Sequence, residues 1–289
     1  MKTKLTFLTS STFTVFCISL LVSCGSSKTE QTPKLAEGAM AASFLSVQQP
    51  IAESLVVSQP EALILGHTKL KSPITATKFG TGERVMIVLA GIHGDEPASI
   101  DVAEAFVTSL QKTGNPANTT IIVIPMMNPD GIARGNRTNS NGVDLNRNFP
   151  ASSWRAEFKS ERYAPGRHPG SEYETRALIK LLNTHSVTLV VSIHAPLNCI
   201  NWDGPALDIA RVMSDAGGFP LKEEIGYETP GSLGSYLGRD KGIPTITLEL
   251  QSAARSDSGL HYGLMALQAA IAHLGRMSAE EHRRIKSGD

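Results

Sequence analysis

The sequence lacks an excess of charge of either sign. Its 289 residues contain 27 Lys and Arg and 27 Asp and Glu, so the formal net charge at pH 7 is +0. The composition therefore indicates neither the basic face of a nucleic-acid-binding protein nor polyanionic character. The length is sufficient for one large α/β domain or two small domains. No internal repeat and no second domain are evident.

The N-terminal segment is typical of an export signal. Lys2 and Lys4 precede an uncharged, largely apolar stretch over residues 5–22. Thr and Ser interrupt this stretch, which makes it poorly suited to span a membrane permanently. The closing residues Leu21-Val22-Ser23-Cys24 resemble the lipobox of bacterial lipoproteins. The resemblance implies cleavage before Cys24 and diacylation of this cysteine. A plain secretory signal or a single membrane anchor remains the alternative.

Three segments follow from this interpretation. We predict a signal peptide over 1–23, a lipidated flexible tether over 24–60 and a catalytic domain over 61–289. The tether is rich in Ser, Thr, Gln, Ala and Pro, with one short helix around 36–47. Gly25 stands where aspartate marks inner-membrane retention, which implies a periplasm-facing outer-membrane anchor in a Gram-negative source and a cell-surface membrane anchor otherwise.

Cysteine is scarce, with three in the whole chain. Cys17 leaves with the predicted signal and Cys24 carries the predicted lipid, so Cys199 would be the single thiol of the mature protein. An intrachain disulfide is then impossible. Stability has to come from packing.

Alternating strands and helices predict an α/β fold. Continuous apolar, β-branched runs typical of strands buried on both faces occupy 84–90, 120–125, 188–193 and 244–250. Helical stretches occupy 97–112, 172–183, 205–216 and 258–276. The pattern predicts a single domain with a mostly parallel, mixed β-sheet and helices on both faces. Residues 63–79 could form an antiparallel pair at one edge.

Chemically reactive side chains follow three of these strands. His93 lies just after the first run, His194 ends the third, and Glu249 lies near the end of the fourth. Ligands of such sheets gather beyond the carboxyl ends of the strands, so we predict that these residues share one site.

The segment His93-Gly94-Asp95-Glu96 could supply two metal ligands. A catalytic zinc ion has three protein ligands and one open position, so a distant histidine would complete the set. The pattern is weak by itself, because a loop histidine bonded to backbone and a favourable first-turn carboxylate explain it equally well.

Further motifs strengthen the metal interpretation. In chain order they are Asn128-Pro129-Asp130-Gly131, Arg137-Thr138-Asn139, residues 141–150 (NGVDLNRNFP), Ser192-Ile193-His194 and Thr247-Leu248-Glu249-Leu250. The ordered set resembles the zinc metallocarboxypeptidase family, and within it the bacterial murein peptide amidase A type. The likeness runs from about Leu65 to the last helix.

The resemblance implies one Zn²⁺ ion bound by His93, Glu96 and His194, with Asp144 supporting the first histidine. It implies that Glu249 is the catalytic carboxylate that moves the proton of a water. It also implies that Arg137 faces the scissile carbonyl.

The resemblance also implies the substrate-binding residues. Asn146 and Arg147 would hold the terminal carboxylate, and Tyr227 would be the mobile tyrosine that covers the substrate. Leu233 would line the side-chain pocket, where an aspartate would select a basic residue and leucine does not. A cis peptide is expected at Ala195–Pro196.

The implied activity is that of a zinc-dependent metallocarboxypeptidase or amidase, which hydrolyses a peptide bond next to a free terminal carboxylate. The implied bond is the one between γ-D-Glu and meso-diaminopimelate in murein peptides, used in peptidoglycan turnover. Two alternatives stay open. One is a general carboxypeptidase that trims L-amino acids, and the other is a catalytically silent lipoprotein that binds cell-wall peptides.

Overall fold

An eight-stranded mixed sheet organises residues 54–287, the part of the chain that the computed structural model describes. The predicted signal peptide, the lipidation site at Cys24 and the short helix at 36–47 lie outside these residues.

The elements follow one another in chain order. The strands are β1 Leu55–Val56, β2 Glu61–His67, β3 Pro73–Phe79, β4 Arg84–Leu89, β5 Asn115–Pro116, β6 Thr119–Ile124, β7 Val187–His194, β8 Cys199–Asp203, β9 Leu221–Lys222 and β10 Thr245–Glu249. The helices are α1 Pro97–Thr113, α2 Pro129–Ile132, α3 Tyr173–Thr184, α4 Leu207–Gly217, α5 Asp257–Arg276 and α6 Ala279–Ser287. Single 3₁₀ turns occupy Leu145–Arg147 and Glu161–Tyr163, and a π-helical turn occupies Ser235–Arg239.

The large sheet has the strand order β2-β3-β6-β4-β7-β10-β8-β9. Its four central strands, β6, β4, β7 and β10, are parallel, while β2, β3 and β8 pair antiparallel with their inner neighbours. The four predicted strands and the antiparallel edge pair are therefore confirmed. The antiparallel strands on both sides of the centre make the sheet mixed.

Helices cover both faces of the sheet, as predicted. Alternate residues of a strand face opposite sides, so Met86 and Val88 of β4 join a core beneath α1, α4 and α5. Ile87 and Leu89 point the other way into a second core with α3. Among residues 54–287, no helix combines the length and apolar character needed to cross a membrane.

Residues 54–58 are attached to the domain by hydrogen bonds, which differs from the predicted tether over 24–60. Leu55 and Val56 pair with β5, and Gly80 N donates to Ser58 Oγ at 3.0 Å. Composition did not reveal this attachment, because a two-residue strand has no periodicity. The ordered fold thus begins before residue 61.

We expect Phe106→Ala to destabilise the domain by about 3–5 kcal/mol, because the change leaves a cavity in the core beneath α1. Phe106 has 0% relative exposure. Urea unfolding monitored by circular dichroism measures the change. Glu104→Ala, on the exposed face of the same helix, should stay within about 0.5 kcal/mol of the wild type. Equal stability of the two variants would contradict the packing described above.

Candidate active site

The carboxyl ends of the central strands bring the predicted site residues together. His194 ends β7 and Glu249 ends β10, and the two residues are paired neighbours in the parallel register. His93 lies in the loop between β4 and α1, and Glu96 immediately precedes α1. The location predicted from the strand pattern is therefore confirmed.

The donor atoms of His93, Glu96 and His194 converge on one point. His93 Nδ1 lies 2.8 Å from Glu96 Oε1, His194 Nδ1 lies 3.1 Å from Glu96 Oε2, and the two Nδ1 atoms are 3.2 Å apart. Ligands that bind zinc tetrahedrally at roughly 2.0–2.1 Å stand about 3.4 Å from one another. All three side chains are buried, and they form the metal-ligand cluster of the described residues. This set of donors fits one Zn²⁺ ion.

The outward ring nitrogens of both histidines also have partners. His93 Nε2 lies 3.1 Å from Asp144 Oδ1, and His194 Nε2 lies 3.0 Å from Ser192 Oγ. Such contacts fix the tautomer and orientation of a metal-binding imidazole. The Asp144 contact was predicted from the family resemblance, whereas the Ser192 contact was not.

The Asn128-Pro129-Asp130-Gly131 turn supports the loop that carries His93. Asn128 Nδ2 donates to Ile92 O at 3.3 Å, and Asn128 Oδ1 accepts from Gly131 N at 2.9 Å. A Cβ atom at Gly94 would lie 2.2 Å from Gly131 C, so the two loops approach too closely for any other residue there. This motif is therefore structural.

Asp144 holds His93 and Arg137 in one arrangement. Its Oδ2 accepts from Arg137 Nε at 2.9 Å, and its Oδ1 accepts from Asn146 N at 2.9 Å in addition to its contact with His93. Arg137 Nη1 also donates to Glu96 Oε1 at 3.3 Å. Arg137 is thus fixed beside the metal ligands, with 14% of its side chain exposed.

The charges of this cluster shift its pKa values. Burial raises the pKa of Asp144, but His93 and Arg137 outweigh burial and hold it well below its usual range. Burial lowers the pKa of His93, but Glu96 and Asp144 outweigh burial and raise it to about 9. A divalent cation therefore competes with a proton for this imidazole.

Arg147 and Asn146 lie on the wall of the same cavity, which has a volume of about 300 Å³. Arg147 is 7% exposed, and its Nη1 has no hydrogen-bond partner among the described residues. Asn146 Oδ1 accepts from the backbone N of the buried Leu233 at 2.9 Å. A buried guanidinium nitrogen without a partner is costly, so this position is suited to an anion.

Glu249 and Tyr227 line the cavity as well. Glu249 is 7% exposed, and burial raises its pKa above the usual range. Its Oε2 accepts from Leu197 N at 3.3 Å. Tyr227 lies at the rim and is 55% exposed, and its pKa is raised by burial and by the charge of Glu249. The predicted cis peptide at Ala195–Pro196 is confirmed.

Tyr163 also belongs to the site, although no sequence motif contains it. The Cζ atoms of Arg137 and Arg147 lie 5.4 and 5.7 Å from its ring centroid, within the range of a cation–π contact. Its neighbour Arg162 also lines the cavity and pairs with Asp95 at 2.8 Å. No sequence signal could have found Tyr163, because it lies in a single 3₁₀ turn outside the motifs that contain the two arginines.

A buried His-Glu-His cluster at the carboxyl ends of a mixed sheet, with arginines and a glutamate in one cavity, defines a metallohydrolase site. Residues 55–204 match the model of a family described as zinc carboxypeptidase, Peptidase_M14. The chain belongs to the zinc carboxypeptidase family.

Two relatives and one solved structure are similar over most of this chain. Murein peptide amidase A of Escherichia coli (strain K12) is 36% identical over 210 residues, which cover 69% of this chain and 83% of that protein. Murein peptide amidase A of Vibrio campbellii is 34% identical over 223 residues, covering 73% and 85%. The crystal structure of murein-tripeptide amidase MpaA from Escherichia coli O157 has a TM-score of 0.61 and 31% identity, and covers 78% of this chain and 96% of that one.

We expect Asp144→Asn to weaken zinc binding by roughly 10- to 100-fold, because the neutral amide supports His93 less well and no longer neutralises Arg137. Competition with a chromophoric chelator measures the affinity. Asp101→Asn removes a partly exposed carboxylate that pairs with the exposed Arg255, and should leave zinc affinity unchanged. Unaltered affinity in Asp144→Asn would show that the buried carboxylate does not support the metal site.

Proposed function

We propose that this chain is a zinc-dependent amidase that removes the carboxyl-terminal residue of murein peptides by hydrolysing the γ-D-Glu–meso-diaminopimelate bond. The observation that carries the proposal is the cavity that joins the His93, Glu96 and His194 cluster to Glu249 and to the unpaired guanidinium nitrogen of Arg147. A metal-ligand cluster, a base and an anion-binding group in one cavity suit hydrolysis next to a free carboxylate.

Substrate binding begins at Arg147 and Asn146. The planar fork of a guanidinium matches a carboxylate, and Asn146 Nδ2 offers a further donor because Oδ1 of the same amide is occupied by Leu233 N. A terminal carboxylate held here satisfies Arg147 Nη1, which a chain interior cannot do. The enzyme therefore acts at a free carboxyl end.

Proton transfer falls to Glu249. His93, Glu96 and His194 would hold Zn²⁺, which would supply the Lewis-acid chemistry that makes water a nucleophile near neutral pH. Glu249, whose pKa is raised by burial, accepts the proton of the attacking water and delivers it to the leaving amine. A carboxylate with a raised pKa suits both steps, since it must gain and then lose the proton near neutral pH.

Charge stabilisation falls to Arg137. Asp144 and Glu96 hold its guanidinium, so the positive charge is already oriented when the carbonyl oxygen becomes negative. Tyr227 at the rim can cover the bound substrate and keep bulk water away from the reacting bond. The ring of Tyr163 lies against both arginines and favours their positive charge through cation–π contacts.

The murein substrate is supported by the relatives and by the N-terminal segment. The similar proteins are named murein peptide amidase A and murein-tripeptide amidase, and this chain covers at least 83% of each. A lipid-anchored protein that faces the periplasm would meet peptidoglycan fragments directly. We include this location in the proposal on the basis of the lipobox-like residues Leu21-Val22-Ser23-Cys24.

We expect the zinc-loaded protein to release free meso-diaminopimelate from L-Ala-γ-D-Glu-meso-diaminopimelate. Glu249→Gln should lower kcat by roughly 10²- to 10⁴-fold without changing the zinc content, because the variant has lost its base. The wild-type kcat/KM should fall as the pH drops through the raised pKa of Glu249, since only the ionised carboxylate accepts a proton. Chromatographic amino-acid analysis measures release, and Glu83→Gln on an exposed loop serves as the matched control.

The same assay separates the alternatives. A general carboxypeptidase would trim ordinary L-peptides with free carboxyl ends faster than the murein peptide. A silent binding protein would take up stoichiometric zinc, bind the murein peptide equally well with Glu249→Gln, and release nothing. Turnover of peptides with an amidated terminus at the same rate as free ones would contradict the role of Arg147.

We expect Cys24→Ala to abolish incorporation of labelled palmitate and to release the protein from the membrane fraction, because the acylated thiol is lost. Metabolic labelling in a bacterial host followed by fractionation measures both. Cys17→Ala, which changes a cysteine inside the apolar stretch, should leave labelling intact. Labelling that persists in Cys24→Ala would rule out this cysteine as the lipid-bearing residue.

A further inference from the structure

The cavity continues from Glu249 along the face of the sheet. Glu249, Thr247 and Thr245 of β10 all line it, because alternate residues of a strand share a face. Asn201 and Asp203 of the neighbouring strand β8 line it too. The cavity therefore has the catalytic carboxylate at one end of β10 and a second carboxylate, that of Asp203, near the other.

The distance between the two ends suits a long side chain. Thr245 is the register partner of Asp203 and lies four residues before Glu249, which corresponds to about 13 Å along the strand. An extended lysine-length side chain spans roughly 6 Å from Cα to its terminal nitrogen. The scissile bond and the attacking water next to Glu249 take up part of the remaining distance, and a hydrogen bond to Asp203 takes up the rest. Such a side chain therefore reaches Asp203.

Two glycines leave the space that Asp203 occupies at this end of the cavity. A Cβ atom at Gly234 would lie 2.1 Å from Asp203 Oδ2, and one at Gly238 would lie 2.3 Å from Asp203 Cβ. Larger residues at either position would displace the carboxylate. The side chain of Asp203 is 11% exposed, and its Oδ1 accepts from Arg239 Nε at 2.7 Å.

The walls between the two ends are largely polar. Thr245, Thr247, Asn201 and Ser232 contribute hydroxyl and amide groups, and Leu233 and Ile225 contribute apolar side chains. A pocket that selected a large apolar residue would be lined mainly by apolar groups. This lining suits a side chain with an aliphatic stem and a charged end.

Arg239 adds a positive charge next to Asp203 at this end of the cavity. Its side chain is 66% exposed, and Asp203 is its one ion-pair partner among residues 54–287. Since Arg239 uses Nε in that pair, its two terminal nitrogens are available to an anion. Asp203 and Asn201 also line the neighbouring cavity of about 590 Å³, on whose wall Arg239 lies.

We propose that Asp203 and Arg239 form the subsite that selects a diamino dicarboxylic acid as the released residue, with Asp203 binding the distal ammonium and Arg239 the distal carboxylate. meso-Diaminopimelate is a lysine with a carboxyl group added at Cε, so its distal end carries both charges on one carbon. The inference rests on the proposed function and assigns the specificity that Leu233 could not explain.

The test compares L-Ala-γ-D-Glu-meso-diaminopimelate with L-Ala-γ-D-Glu-L-Lys, which differ in the distal carboxylate and nothing else. We expect the zinc-loaded wild type to prefer the first peptide in kcat/KM by roughly 10- to 100-fold, the effect of one charge-assisted pair. Arg239→Gln should reduce this ratio to within about threefold of one. Asp203→Asn should raise KM for both peptides by roughly tenfold or more, with zinc content unchanged.

Matched controls come from an exposed pair of the same chemistry on α4. Arg211→Gln and Asp208→Asn alter an exposed ion pair away from the cavity and should leave both kinetic constants unchanged. Calorimetric binding of both peptides to the Glu249→Gln variant, with and without Arg239→Gln, gives the same comparison without turnover. Because Arg239 is exposed, its substitution leaves the fold intact, which thermal unfolding checks.

The outcomes separate this inference from the proposed function. Efficient hydrolysis of the diaminopimelate peptide, with a preference over lysine that survives both Arg239→Gln and Asp203→Asn, would overturn the subsite and leave the proposed function standing. Hydrolysis of neither peptide by the wild type would overturn the proposed function, and the subsite with it.

Discussion

The rest of the site depends on the contacts that the buried carboxylate of Asp144 makes. One oxygen contacts the imidazole of His93 and the other accepts from Arg137, while the backbone of Asn146 is bonded to the same group. His93, the guanidinium of Arg137 and the start of the turn that carries Asn146 and Arg147 are therefore fixed relative to one another. A carboxylate with 0% exposure is stable only because these partners replace water.

The sheet supplies the second constraint, because it sets the distances along which a substrate must lie. β7 and β10 end side by side and bring His194 next to Glu249, whereas the antiparallel β8 turns back and carries Asp203 to the opposite end of the same face. The proposed catalytic residues thus lie where the parallel strands end, and the proposed subsite for the substrate side chain lies at the other end of β10.

Much of the fold was predictable because its strands are continuous apolar runs, and the helices between them start and stop near the predicted residues. β1 was not predictable, because a strand of two residues is too short to show an alternation of apolar and polar side chains. Among the site residues, His93, Glu96, His194 and Glu249 could be found from motifs with short spacing or from strand ends. Tyr163 and Asp203 could not, because each acts through a partner that is distant in sequence or through a register. Ser192 lies within a motif, but its contact with His194 depends on the orientation of the imidazole ring, which the motif does not give.

The sequence by itself determined the family motifs, the alternation of strands and helices, and the scarcity of cysteine that leaves packing to hold the domain. Only the tertiary structure decided that Asp144 serves His93 and Arg137 at once, that Arg147 is buried with an unpaired nitrogen, and that Asp203 faces the cavity. The physical reason is that a motif specifies which chemical groups are present. Their partners and their exposure to water depend on which strands become neighbours and in what register.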